Sequence, residues 1–285
     1  MSNPLIVNAA ITGCVLKKSE HPELPVSVEE ITRCVREVVD EGASIVHLHA
    51  RNPDDSASHS AQDYIDIVTS VRKACPEVVV CVSLSGRFAN SVELRAAPLE
   101  AGPDMASLTL GSLNFPTQAS LNSPDTVVQL ARRIFEAGAI PELEVFEAGM
   151  LHYSKYLIKQ GILKGPLYYN LILGSLGTAP LDLVGLGHMV SMLPDGALWS
   201  VGGIGRHQLQ ANALAIASGG HVRVGLEDNP YFDWTRRQPT SNRQLVARVV
   251  RLARELGREP ATPTQVRQLL GLPQVTPSCM ASKGS

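Results

Sequence analysis

Short apolar runs rich in β-formers alternate along this chain with longer segments whose apolar residues recur about every 3.6 positions, and this rhythm restricts the fold more than any other feature. The strand-like runs fall at residues 5–11, 44–49, 78–83, 104–107, 141–144, 167–173, 198–201 and 221–224. Between them lie helix-like segments at 27–41, 61–75, 92–99, 124–137, 149–160, 180–192 and 207–217, with a last one at 241–256. Two helix starts carry entry chemistry. Ser27 precedes Val28-Glu29-Glu30 at capping-box spacing, and Ser123 precedes Pro124 at the first helical position. Strands that alternate with helices form a parallel sheet covered by helices. Eight such units in 285 residues predict the α/β class and a (β/α)8 (TIM) barrel spanning residues 1–272, followed by a loose tail at 273–285 rich in Pro, Ser and Thr. An open doubly wound sheet is the rival, but neither GxGxxG nor GxxxxGK[ST] occurs.

Composition removes several function classes. With 25 Lys+Arg against 27 Asp+Glu, the chain lacks the basic excess of a nucleic-acid or anionic-membrane binder. Five scattered cysteines (Cys14, Cys34, Cys75, Cys81, Cys279) without a CxxC pair argue against a disulfide framework and against a thiolate zinc site. The apolar run at 5–11 lacks a basic flank and is too short for a signal peptide or a membrane span, so a cytoplasmic protein is expected.

In a barrel of this kind the active site forms at the carboxyl ends of the strands. The second strand ends Val46-His47-Leu48-His49. Residues two apart on a strand share a face, so His47 and His49 project together and make half of a metal site, or else two structural histidines hydrogen-bonded in the barrel mouth. After the eighth strand comes Gly225-Leu226-Glu227-Asp228-Asn229, with Arg223 on the strand itself. Paired acids beside a cation suit metal ligation by one carboxylate and proton transfer by the other; a solvated acidic loop is the alternative. Polar residues also mark the ends of strand three (Ser83, Ser85, Gly86), strand four (Ser107, Thr109) and strand five (Glu142, Glu144). Gly202-Gly203-Ile204-Gly205-Arg206 reads equally as an anion-holding loop and as a tight turn.

Taken together, His47-Leu48-His49-Ala50-Arg51, Glu41-Gly42-Ala43 and Gly225-Leu226-Glu227-Asp228-Asn229 resemble the β-keto acid cleavage enzyme family, whose reference activity is 3-keto-5-aminohexanoate cleavage. Similar segments are Ala9-Ala10-Ile11-Thr12-Gly13, Leu110-Gly111-Ser112-Leu113-Asn114-Phe115, the stretch 141–150, and the glycine-rich loop after strand seven. The resemblance runs from Leu5 to a helix ending near Leu269. It implies a homotetrameric, zinc-dependent enzyme that takes a β-keto acid and acetyl-CoA to acetoacetate and a new acyl-CoA. It further implies that His47, His49 and Glu227 hold Zn2+, that the keto oxygen and carboxylate of the substrate chelate it, and that Asp228, assisted by Arg223, removes the proton between them. Ser83, Gly86 and Ser107 align with groups that contact the substrate, and Glu144 with an acid of the pocket. A coenzyme-independent metal-dependent barrel hydrolase or aldolase would share the metal site but not the thioester.

The chain departs from the family pattern in two places. Relatives that act on amino-substituted substrates carry a Glu where Val15 stands, and an apolar side chain cannot partner an ammonium. A neutral aliphatic β-keto acid is therefore expected first. An acid with a second carboxylate is the alternative, through Arg87, Lys17 or Lys18. Ser85 occupies a place where the family pattern has Gly, and Cys14 is expected to be a small packed residue rather than a nucleophile or ligand.

Overall fold

The computed structural model describes residues 3–89, 91–116 and 118–275. Eight parallel strands close into a barrel in sequence order: β1 (Val7–Ala10), β2 (Ile45–Leu48), β3 (Val79–Val82), β4 (Met105–Thr109), β5 (Ile140–Val145), β6 (Tyr168–Leu173), β7 (Leu198–Gly203) and β8 (His221–Val224), with β8 pairing back onto β1. All eight lie within one or two residues of the runs read from the sequence, β4 and β7 each reaching two residues further at the carboxyl end. Around them sit α1 (Val28–Asp40), α2 (Ala61–Ala74), α3 (Val92–Ala96), α4 (Pro124–Glu136), α5 (Ala148–Lys159), α6 (Leu183–Ser191), α7 (Gln208–Ala217) and α8 (Asn242–Glu255). Ser27 and Glu30 form the expected capping box, and Ser123 caps α4 ahead of Pro124.

Strand alternation divides the apolar residues into two cores. Val7, Ala9, Val46, Leu48, Val80 and Val82 point outward into a continuous layer beneath the helices. Their neighbours Ile6, Ile45, Val79, Cys81, Met105 and Tyr168 point inward and fill the lower half of the barrel. That inner core is closed from below by α9 (Pro263–Leu269), which contributes Val266, with Ala261 and Leu270 at its flanks. Arg267 pins the helix, donating to the carbonyls of Glu77 and Val78 and to both carboxylate oxygens of Asp104. The last periodic segment at 241–256 is thus not the last helix. The tail expected at 273–285 lies outside the described residues apart from 273–275, as does Cys279.

Three two-stranded hairpins follow the carboxyl ends of β2, β4 and β8: Ala50–Arg51 with Ala57–Ser58, Leu113–Asn114 with Ala119–Ser120, and Tyr231–Asp233 with Gln238–Pro239. No helix among the described residues is long and apolar enough to cross a membrane.

Candidate active site

Above the apolar floor the inward-facing residues turn polar. His47 stands one inward step above Ile45, and Glu142 one above Ile140. The His47 ring lies beside Glu142, with Nδ1 and Oε2 2.7 Å apart. Glu142 is held in turn by Asn8 at 2.5 Å and Asn170 at 3.1 Å. With Nδ1 engaged there, Nε2 of His47 is left facing the mouth, the arrangement that fixes a histidine as a ligand.

Three buried atoms converge without hydrogen-bond partners among the described residues: Nε2 of His47, Nε2 of His49 and Oε2 of Glu227. Glu227 Oε1 lies 3.3 Å from His49 Nε2, and Oε2 lies 4.0 Å from His47 Nε2. The ligand atoms of the three residues all fall within 4.8 Å of one another. Unspent lone pairs this close, two imidazoles and one carboxylate, are the donor set of a divalent ion site with open positions. The electrostatics agree. Burial opposes a charge on His47, yet Glu142 and then Glu227 outweigh it and lift the imidazole to about 9. Burial likewise opposes ionisation of Glu142, but His47 and Arg223 pull it down to about 2. At His49 burial outweighs Glu227 and lowers the imidazole, so the pull toward positive charge falls on His47.

Arg223 gathers the acids. Its Nε donates to Asp228 Oδ2 at 2.8 Å, and its Nη2 to Glu227 Oε1 at 2.6 Å and Asp228 Oδ1 at 3.3 Å. Nη1 sits 3.9 Å from Glu144, whose other oxygen accepts from Thr109 at 2.7 Å. Burial raises Asp228 above the usual carboxylate range despite Arg223, whereas Glu227 is held well below it because Arg223 and the two histidines outweigh burial. Two adjacent carboxylates therefore differ in basicity, Glu227 holding its proton less readily than Asp228.

Close backbone approaches put Glu227 in place. A Cβ on Gly13 (φ +63°) would meet Glu227 Cγ at 2.6 Å, and one on Gly225 (φ +155°) would meet the Ala10 carbonyl oxygen at 2.0 Å. Arg51, the last residue of the His47–Arg51 motif, clamps the Gly13 loop through the carbonyls of Gly13 and Thr12. The β8 loop is fastened by Asn242, which accepts from Leu226 N–H and donates to the Ile11 carbonyl, and by Gln208, which donates to the Gly225 carbonyl. Gly13→Ala is expected to displace Glu227 and weaken Zn2+ binding about tenfold or more, measured by competition with a chromogenic chelator; unchanged affinity would remove Gly13 from this role.

A cavity of about 280 Å³ opens over these groups. Its wall includes His49, Ser83, Ser85, Glu144, Arg223, Glu227, Asp228 and, at the rim, Val15. Two residues singled out in the sequence stand behind that wall. Ser107 accepts from the Leu84 N–H at 3.0 Å and so ties β4 to the end of β3, while Gly86 packs against Arg95, whose Nη1 a Cβ would meet at 2.8 Å. Cys14 lines the cavity rather than packing away from it, and burial pushes its thiol up to about 11, which keeps it protonated and unreactive. The glycine-rich loop after β7 is a tight turn: the Gly205 N–H donates to the Asp228 carbonyl, and a Cβ on Gly203 would meet the His207 carbonyl oxygen at 2.4 Å. Sequence reasoning noted Glu142 only as a polar strand-end residue; its place two residues before Glu144, on the same inward face, was the available signal.

Residues 4–272 match the beta-keto acid cleavage enzyme family. The chain is 40% identical over 274 residues to the 3-keto-5-aminohexanoate cleavage enzyme of Fusobacterium nucleatum, covering 95% of this chain and 99% of that one. It is 36% identical over 278 residues to the 3-oxoadipate:acetyl-CoA acetyltransferase of Cupriavidus necator, covering 96% and 97%. Among solved structures, apo ObcA superposes with a TM-score of 0.78 at 22% identity, over 88% of this chain and 66% of the other, a likeness of fold. With a family match along nearly its whole length and the motif residues gathered around one barrel mouth, the chain belongs to the β-keto acid cleavage enzyme family.

Proposed function

We propose that this enzyme is zinc-dependent and exchanges acyl groups between a β-keto acid and acetyl-CoA, yielding acetoacetate and a new acyl-CoA. The observation that carries this reading is the convergence of ligand atoms of His47, His49 and Glu227, without hydrogen-bond partners among the described residues, beside an Arg223-held Asp228. A zinc ion held by those three residues would supply Lewis acidity to the substrate's carbonyl oxygen. Asp228 takes the proton from the carbon between the keto and carboxylate groups, and its burial makes it a stronger base than an exposed carboxylate. Arg223 fixes the direction of the Asp228 carboxylate and carries its charge while the proton moves. The freed carbon attacks the acetyl carbonyl and expels the coenzyme thiolate. The thiolate adds to the other keto carbon, the bond between that carbon and its neighbour breaks, and Asp228 returns its proton to the acetoacetate carbanion so released. Every atom of the two substrates reappears in acetoacetate and the acyl-CoA.

The substrate is a neutral or anionic β-keto acid rather than an amino-substituted one, because Val15 offers the cavity no charge for an ammonium. The same reading makes the protein a cytoplasmic homotetramer; the assembly is supported by Leu183 and Val184, exposed side by side at the start of α6, with Leu176 exposed on the preceding loop, and light scattering that returned a monomer would overturn it.

The test is a panel of β-keto acids with and without acetyl-CoA. Acetoacetate should form only when acetyl-CoA is present. It should also stop on chelation and return with added Zn2+, which should raise Tm by binding the folded state. Product release from the β-keto acid alone would favour a coenzyme-independent hydrolase or aldolase and overturn the proposal.

A further inference from the structure

We infer that Arg87 receives the far carboxylate of a β-keto dicarboxylic acid, so that this chain selects dianionic substrates over neutral and amino-substituted ones; the inference rests on the β-keto acid reading of the cavity.

Arg87 lies on the connection from β3 to α3 and lines the same cavity as His49, Glu227 and Asp228. Its backbone is fixed from both sides: its N–H donates to Ser85 Oγ at 3.2 Å, and its carbonyl accepts from Gln118 Nε2 at 3.1 Å. The guanidinium carbon sits 3.6 Å over the centroid of the Phe115 ring. Stacking of this kind holds the plane of the group and leaves the N–H donors at its edge free. Nε of Arg87 is buried and has no hydrogen-bond partner among the described residues.

The neighbouring cations are already engaged. Arg223 is matched by Glu227 and Asp228, Arg51 by Asp55, and Arg95 by Asn122 and the Leu84 carbonyl. Lys17 donates to the Asp55 carbonyl and Lys18 pairs with Glu30, so neither belongs to the cavity wall. The acids of the cavity, Glu144, Glu227 and Asp228, all group around Arg223. Arg87 is thus a half-buried cation in a shaped cavity whose own acids are committed elsewhere. A carboxylate supplied by the ligand would match its planar fork with two parallel hydrogen bonds. An ammonium at this end would meet like charge, and a methyl group would leave the guanidinium dry and unpaired. The expected preference for a neutral aliphatic acid therefore gives way to the dicarboxylic alternative. Ser85 has a matching purpose, since its hydroxyl anchors the Arg87 backbone.

An anion could also come from the coenzyme's phosphates, and the experiment separates the two sources. Wild type, Arg87→Gln and Arg87→Lys are assayed with acetyl-CoA and two six-carbon acids, 3-oxoadipate and 3-oxohexanoate, which differ only at the far end. Wild type should favour the dianion in kcat/KM by about 30- to 100-fold, and Arg87→Gln should shrink that ratio to about threefold, through KM for the keto acid and not for acetyl-CoA. Arg87→Lys, which keeps the charge but not the fork, should fall between them. In parallel, adipate and hexanoate are titrated calorimetrically into the zinc-loaded proteins. Adipate should bind wild type about tenfold more tightly or better, and Arg87→Gln should erase the difference. The titration decides the inference even if no β-keto acid is turned over, an outcome that would instead sink the proposed reaction. Equal handling of both acids by wild type, a ratio that survives in Arg87→Gln, or a KM change confined to acetyl-CoA would each overturn it.

Discussion

Asp228→Asn should lower kcat by about 10³-fold while leaving the zinc content at the wild-type level, because a positioned general base contributes roughly 10²–10⁴-fold. The two halves of that result come from different atoms. Asp228 stands apart from the convergent lone pairs of His47, His49 and Glu227, so metal binding should survive. Asparagine keeps the size of the side chain and one oxygen for Arg223, which still has Glu227 as an ion-pair partner, so the fold should survive as well. What disappears is the group whose burial raises its affinity for a proton. Metal analysis by mass spectrometry and a steady-state assay on the same preparation check both halves. A variant with kcat near wild type would remove Asp228 from the chemistry, and loss of zinc with activity would make it part of the metal site.

The second large effect concerns the fold. Arg223 is 1% exposed and holds Glu227 and Asp228 directly, with Glu144 close by. Arg223→Met preserves much of the side-chain length but strands these acids in the barrel mouth. Removing one partner from a buried ionic network costs about 3–5 kcal/mol, and urea denaturation should show a loss of that size. Added Zn2+ should restore part of it by supplying positive charge to the same acids. A loss below about 1 kcal/mol would mean that the carboxylates shed their charge by taking up protons, and stability would then depend little on Arg223.

The barrel was legible in the sequence because its strands are buried on both faces, and continuous apolar runs such as 5–11 and 78–83 stand out between polar helices. The grouping of His47 and His49 was legible because alternation forces them to the same side, and the resemblance added Glu227 to complete the candidate triad, which the structure brings together. What escaped was short or relational. The three hairpins have strands of two or three residues, too short for a periodic signal, and helix α9, seven residues long, was expected only through the family resemblance, which reaches a helix ending near Leu269. Ser107 and Gly86 were expected to contact the substrate because the resemblance aligns them with groups that do. Their neighbours, the Leu84 N–H and the Arg95 side chain, belong to a loop and a helix whose course the sequence does not reveal. Arg87 was one of three nearby cations on paper; the lysines drop out only once Asp55 and Glu30 are seen to engage them.

The placement of α9 bears on how the chain is made. The floor of the barrel, with Ile6, Ile45 and Val79 from its first strands, is sealed by residues 261–270, close to the end of the sequence. During synthesis those strands wait for α9 to emerge, and until it docks the inner apolar layer lies open to water. A nascent chain stopped after α8 would carry every group of the catalytic mouth on a barrel without a base. Such a chain is a substrate for chaperones and proteases, and it should aggregate where the 285-residue chain does not. A stop codon shortly before Pro263 would therefore be a null allele by loss of folding, with the whole chemical apparatus still encoded.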